Sequence, residues 1–296
     1  MLRPALGRLW WSAVHAPHDP RPLVSVVVPV WDGYAGTFLD EALDSLFSQG
    51  TDAEVIVVDN ASVTPVSPRD PRALVVRTPT RLPCGAARNF GLRSVTAPLV
   101  VMWDADDVML PGTLRLLCDG VDADRQLVAH AAAIVDSPSG SRHRWPRRWV
   151  SALTRRPRLL ALINSVWSQY PTTGATVMRT DVVREAGGYR EVDGSDDWLL
   201  GVALLWRGRV GWTERPGRHY RQHDTSIWPR HDTVRHLLAN SRAVRSLLRR
   251  DAAVPRWCRL AVPLIQVAQY AAILVVRPLT RLVRASPSAR SRTFDG

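Results

Sequence analysis

Pro98-Leu99-Val100-Val101-Met102-Trp103 is an almost unbroken apolar run, and it stops at Asp104-Ala105-Asp106-Asp107. A short run without polar alternation is how a strand buried on both faces reads. The same pattern occurs twice upstream. Leu23-Val24-Ser25-Val26-Val27-Val28-Pro29-Val30 ends in Trp31-Asp32-Gly33, and Glu54-Val55-Ile56-Val57-Val58 ends in Asp59-Asn60-Ala61-Ser62. Between these two runs, Phe38, Leu39, Ala42, Leu43, Leu46 and Phe47 recur at helical spacing over residues 38–49, with Gly50 as a stop. A further short strand is expected over 73–77 and a helix over 85–94. Strand, helix, strand, helix, strand with short links predicts a parallel sheet covered on both faces. Ligands of such sheets sit beyond the carboxyl ends of the strands. Three of the four strand ends carry acids: Asp32, Asp59 and the cluster from Asp104 to Asp107.

Downstream the organisation changes. Residues 110–121 read as a helix, 126–136 as a strand, and 137–158 as a basic stretch with Pro146, Trp145 and Trp149. A short helix over 180–185 meets Gly187-Gly188. Another over 196–206 carries Leu199, Leu200, Ala203 and Leu204 as its stripe, and 233–250 forms a basic amphipathic helix. No internal repeat is present.

The chain has 296 residues, enough for one large domain with a tail, and 46% of them are hydrophobic. Its net charge is +12, and every one of its 39 cationic side chains is Arg. A GC-rich genome explains the missing Lys better than it explains the surplus of positive charge. That surplus points to an anionic partner: phosphate, nucleic acid or a lipid surface. Cys84, Cys118 and Cys258 have no metal-ligand or redox spacing and read as reduced thiols in the cytoplasm. The first residues carry tryptophans and arginines but not the long apolar core of a secretion signal.

Asp104 and Asp106 are two apart, so in an extended turn both carboxylates point the same way. Two hard oxygen ligands suit Mg2+ or Mn2+ and leave coordination sites for water and a diphosphate. The plainer alternative is that Asp106 or Asp107 caps the next helix.

Taken together, these segments resemble the family 2 glycosyltransferases of the GT-A fold, a Rossmann-like architecture with a mostly parallel central sheet flanked by helices. The resemblance runs over about residues 23 to 230. Val28-Pro29-Val30-Trp31-Asp32 stands where the family has Val-Pro-x-Tyr-Asn. Val58-Asp59-Asn60-Ala61-Ser62 stands for Val-Asp-Asp-x-Ser, and Ala87-Arg88-Asn89-Phe90-Gly91 keeps the family's Ala-Arg-Asn before a Gly. Just upstream of it the family has Asn-x-Gly, whereas Arg81 and Pro83 occupy those places here. The resemblance implies a nucleotide site of Pro29, Trp31, Asp32, Asp59, Arg88 and Asp104. Asp59 would accept from the base, with uracil favoured by family habit, and Arg88 would lie near the diphosphate or ribose. Asp104 and Asp106 match the family's metal-binding DxD.

Further on, residues 174–179, beginning at Gly174, and 183–189 look like the family's acceptor-side strand and helix. Ser195-Asp196-Asp197-Trp198 resembles the family's Glu-Asp-Trp, which makes Asp197 the catalytic base and puts Asp196, Trp198 and Gly174 on the acceptor side. Tyr220-Arg221-Gln222-His223-Asp224-Thr225-Ser226 resembles a late Tyr-Arg-x-His-x-x-Ser, with His223 as a further metal ligand or a diphosphate donor. The Gln-x-x-Arg-Trp of processive synthases is not seen.

The expected organisation is an N-terminal arm over 1–22 and a GT-A domain over 23–230, with its nucleotide half at 23–107 and its acceptor half at 108–230. A helical region follows over 231–285, then a disordered tail over 286–296. Residues 260–276 are apolar, interrupted by Pro263, Gln266 and Gln269, and flanked by arginines with Trp257 alongside. This segment is expected to lie in a membrane interface; packing on the catalytic domain and a single span are its alternatives. The implied activity is metal-dependent, inverting transfer of a hexose-type sugar from a nucleotide-sugar donor, UDP favoured, to a hydroxyl acceptor, in envelope glycan or glycolipid synthesis. The implied place is the cytoplasm or the cytoplasmic face of the membrane. A non-catalytic sugar-nucleotide scaffold and a metal-dependent nucleotidyltransferase stay open as rivals. Nucleic acid is not expected as a partner, since no recognition signature accompanies the arginines.

Overall fold

The structure, a computed structural model, describes residues 22–137, 149–191, 195–221 and 233–285. The expected arm and tail at the two ends, and His223, lie outside the described residues.

The apolar runs become β1 (Val24–Val30), β2 (Ala53–Asp59) and β4 (Leu99–Met102), with β3 (Ala73–Arg77) beside β2. Alternation of side chains across a strand splits them between two cores. Val26, Val28, Val30, Val55, Val57, Leu99 and Val101 face one cluster; Val27, Ile56, Val58, Val100 and Met102 face the other. The first cluster is closed by α1 (Thr37–Phe47) and α3 (Thr113–Ala123) through Leu39, Leu43, Leu46, Leu114 and Leu117. The second is closed by α2 (Cys84–Leu92), α5 (Pro157–Asn164) and α7 (Asp196–Leu205), with Leu92, Leu160, Leu200 and Leu204. Each such side chain contributes roughly 1.5–3 kcal/mol on full burial, which is why runs buried on both sides need no polar alternation. Helix α2 approaches the sheet at Gly91, where a Cβ would come within 2.4 Å of Val27 and 2.6 Å of Val58.

With β5 (Val108–Met109), β6 (Leu127–Ser137), β7 (Thr176–Arg179) and β8 (Arg209–Arg221), the eight strands among the described residues follow the order β3-β2-β1-β4-β7-β6-β8-β5. Strands β3, β2, β1 and β4 are all parallel. Beyond β4 the sheet is mixed. β7 is antiparallel to both β4 and β6, β8 runs parallel to β6, and β5 is antiparallel to β8. Strand β8 was not expected from the sequence; α4 (Trp149–Leu153) lies in the stretch over 137–158 that reads only as basic, and α5 begins at its end. The short α6 (Thr180–Glu185) matches its expected span.

Two C-terminal helices, α8 (Thr233–Arg250) and α9 (Cys258–Ala285), pack on α7 through Trp198, Leu199, Val202, Val244, Leu248, Cys258 and Val262. Among the described residues, no helix is long and apolar enough to cross a membrane.

Candidate active site

The loops at the ends of β1, β2 and β3 are laced together. Asp32 accepts the Val63 N–H at 2.8 Å, which joins the β1 end to the β2 end. The Asn60 side chain both donates to and accepts from the Leu82 backbone at 2.9 Å, which joins β2 to the entry of α2. Trp31 meets Tyr34 edge-on at 5.5 Å, and the Arg81 guanidinium lies over its ring at 4.1 Å. Pro29, also expected at the nucleotide, sits in β1 opposite Val58. Asp59 organises the loop after β2, accepting from the Ser62 N–H at 3.0 Å and the Val66 N–H at 3.2 Å and pairing with Arg77. Burial raises its pKa, but the Ser62 and Val66 bonds and Arg77 outweigh burial and hold the carboxyl below its usual range. At 1% exposure Asp59 offers little open surface, so its first task is to shape the loop.

The turn after β4 is built differently. Asp107 N–H donates to the Asp104 carbonyl at 3.2 Å, and the buried Trp103 indole N–H donates to the Asp107 carbonyl at 3.2 Å. Helix α3 starts only at Thr113 with Gly112 as its N-cap, so neither Asp106 nor Asp107 caps it. Instead the turn faces arginines. Asp104 accepts from Arg88 Nη2 at 2.9 Å and from Arg218 Nη2 at 2.7 Å, one on each oxygen. Arg218 also pairs with Asp107, which accepts the Arg221 N–H at 2.9 Å. Burial opposes ionisation of Asp104, but Arg218 and Arg88 hold its pKa below the usual value. Burial pushes Asp107 up to about 7, with Asp106 and Asp104 adding to the rise against Arg218.

Arg88, expected near the diphosphate or ribose, is held by carboxylates. It is buried and bridges two carboxylates, Asp104 and Asp196, with its plane near the Tyr189 ring. A buried guanidinium needs counter-charges, and these two aspartates supply them. The adjacent Asn89 clamps the backbone of Tyr189 from both sides at 2.7 Å, so the Arg88-Asn89 pair ties α2 to the turn before α7.

Asp197 sits in the first turn of α7, where the helix dipole favours a negative charge. Ser195, at φ 60, sets the entry to that helix, and Asn240 of α8 donates to its hydroxyl at 2.7 Å. Asp197 accepts the Trp198 N–H at 2.7 Å, and its carbonyl accepts the Thr172 hydroxyl at 2.6 Å. Burial, then the neighbouring Asp196, push its carboxyl up to about 6 against the pull of Arg88.

Two further residues expected on the acceptor side, Trp198 and Gly174, have structural contacts of their own. The Trp198 ring is buried against α8 and α9 and its indole N–H donates to the Asn164 carbonyl, so it anchors the C-terminal helices. Gly174, at φ +74, is the cradle of Arg218: a Cβ there would lie 2.1 Å from Arg218 Nη1. The structure brings together Asp104, Asp107, Asp196 and Asp197 through Arg88 and Arg218, with Asp106 acting on both Asp107 and Arg218. Sequence reasoning missed Arg218, one of 39 arginines in a strand without apolar alternation. Among the described residues no group of three His, Cys, Asp or Glu converges on one metal position.

A protein-family model described as glycosyl transferase family 2 matches residues 25–186, more than half of the chain. The chain is 30% identical over 110 residues to the succinoglycan biosynthesis protein ExoO of Rhizobium meliloti (strain 1021), an alignment covering 36% of this chain and 31% of that protein. It therefore spans about a third of that relative's length. Among solved structures, S. aureus TarS 1–349 with UDP-GlcNAc superposes with a TM-score of 0.61 at 15% identity, over 77% of this chain and 67% of that one. The same TarS fragment with UDP gives 0.54 at 14% identity, over 77% and 66%. These likenesses show the fold, a GT-A sheet flanked by helices.

Proposed function

Because the chain belongs to glycosyl transferase family 2, we propose that it transfers a sugar from a nucleotide-sugar donor to an acceptor hydroxyl with inversion, using Asp197 as base. The observation that carries this reading is the ionic chain Asp104–Arg88–Asp196, which ties the turn after β4 to the residue beside Asp197. Asp197 takes the acceptor proton as the oxygen attacks the anomeric carbon. The bond from that carbon to the phosphate oxygen breaks, and the nucleoside diphosphate leaves. A carboxyl raised to about 6 is ionised at neutral pH, yet basic enough to hold the proton it receives. Asp196 and Arg88 act as positioning residues behind it.

The donor site we propose is the laced edge of Asp32, Trp31, Pro29 and the Asp59 loop, with the base entering beside Trp31. Among the described residues, five carboxylates, Asp104, Asp106, Asp107, Asp196 and Asp197, gather around two buried guanidiniums, Arg88 and Arg218. That excess repels a diphosphate unless a cation joins it. The residues fit one: Asp106, with Asp104, offers hard oxygen donors, and Mg2+ or Mn2+ needs only one or two carboxylates when phosphates complete its shell. His223 is our candidate third ligand. Such an ion, when bound, would neutralise charge on the departing diphosphate. Arg88 Nε and Arg218 Nε are buried without hydrogen-bond partners among the described residues, which supports an acceptor-rich ligand or ordered water close by.

The UDP and UDP-GlcNAc bound to TarS make UDP sugars the first donors to try, and the succinoglycan relative makes an envelope glycan or lipid-linked hydroxyl the first acceptor. The test is nucleoside-diphosphate release from a panel of sugar nucleotides with Mg2+ or Mn2+, in wild type, Asp106→Ala and Asp197→Asn. Cleavage of one donor, lost in both variants, is the expected result. Pyrophosphate release instead would indicate a nucleotidyltransferase, and donor binding without turnover a scaffold.

A further inference from the structure

Helix α9 packs by one face and carries a second apolar stripe on the other. Its inward face buries Cys258, Val262 and Gln266, whose amide donates to the Ser165 carbonyl at 3.3 Å. Its outward face holds Leu260, Leu264 and Val267, which are 75%, 71% and 61% exposed, with Trp257 just before it 51% exposed. These positions recur at i, i+3, i+7 and i+10, one continuous stripe. A polar amide is buried while large aliphatic groups face out, and isolated exposed apolar residues do not form such stripes.

The charge around the stripe decides what covers it. Residues 260–276 carry no charged side chain, and arginines bracket them at 256, 259 and 277. From 233 to 285 the sequence has ten arginines and a single acid, Asp251. A second copy of the chain would therefore bring like charge against like charge, which disfavours pairing. The N-terminal arm, with Arg3 and Arg8 and no acid before Asp19, is opposed in the same way. At the start of α9 lies a hollow of about 530 Å³ whose walls include Arg158, Trp206, Arg207, Arg209 and Trp257. The two indoles meet edge-on at 6.3 Å. Indoles and guanidiniums beside an apolar stripe match the headgroup zone of a bilayer, where aromatic rings and cationic heads sit over acyl chains.

We propose that α9 is a membrane-surface helix: its outward stripe inserts at the acyl boundary of an anionic bilayer, and the arginines around it contact the headgroups. The inference goes beyond the transferase chemistry and does not depend on it.

The test is sedimentation of the purified full chain with vesicles of phosphatidylcholine alone, or of phosphatidylcholine and phosphatidylglycerol in equal parts. The anionic vesicles should carry the protein down and the neutral ones leave it in solution, with added salt weakening the binding. The triple variant Leu260→Ser, Leu264→Ser, Val267→Ser changes only outward side chains, and its thermal melt checks the fold. It should bind anionic vesicles about a hundredfold more weakly. Arg256→Glu should weaken binding by about fivefold or more. Nucleotide-sugar cleavage in solution should stay intact in both, so loss of vesicle binding and loss of chemistry are read separately. The proposal is overturned if wild type ignores anionic vesicles or if the triple variant binds as wild type does. Concentration-dependent self-association abolished by the triple variant would assign the face to a second copy. Vesicle binding that appears only after residues 1–21 are removed would assign it to the arm.

Discussion

Asp59 and Asp104 both stand at the carboxyl edge of the parallel sheet, yet their surroundings are opposite in kind. Asp59 is answered by two backbone N–H groups and by Arg77. Its charge is fully compensated, its pKa is held low, and the result is a fixed loop. Asp104 belongs to a group in which, among the described residues, carboxylates outnumber buried guanidiniums; burial first, and neighbouring acids after it, raise the pKa values of Asp107 and Asp197. A protein closes the first kind of site for stability. It leaves the second kind under-compensated where a cationic or proton-bearing partner is to arrive.

The largest effect should come from removing the proton acceptor. Asp197→Asn is expected to lower transfer by about 10²–10⁴-fold. The same change should raise stability. A carboxyl whose folded pKa lies near 6 contributes stability below its unfolded value near 4, and loses it as pH rises through 6. Asn cannot ionise, so the variant should gain on the order of 2 kcal/mol at pH 8 and show no gain near pH 4, read from melts at the two pH values. A lower Tm at pH 8 would mean that Asp197 is compensated after all.

Arg218→Gln should come next. It leaves Asp104 and Asp107 short of their shared guanidinium, and breaking a buried pair from one side costs about 3–5 kcal/mol. Denaturant unfolding checks it, and a loss below 1 kcal/mol would place the pair in effectively open water. Asp59→Asn should have the smallest effect, about 1–2 kcal/mol from weakened loop bonds. It should leave the pH dependence of turnover where it was, because Asp59 is not part of the crowded group. A shift of that dependence would erase the contrast between the two turns.

The two halves of the sheet were not equally legible. Strands β1, β2 and β4 are continuous apolar runs because helices cover both faces, so composition alone marks them. Strand β8 holds Glu214, Pro216, Gly217 and four arginines, and it becomes a strand only by pairing with β6 across several register shifts. Nothing local predicts that. Asp104, Asp106 and Asp197 were readable as acids at strand and helix ends. Arg218 was not, since its role depends on the turn of β8 beside Gly174. Trp198, next to Asp197 in sequence, is turned by about 100° from it around the helix and faces the contact with the C-terminal helices.

The most direct test of the central claim is the pH dependence of kcat/KM for donor and acceptor turnover in wild type between about pH 4.5 and 8. A base raised by burial and by the neighbouring Asp196 predicts a plateau above about 6 and a tenfold fall per pH unit below it. A rate flat down to pH 4.5 would mean an ordinary, well-compensated aspartate at 197, and the crowded site would then have no part in activating the acceptor.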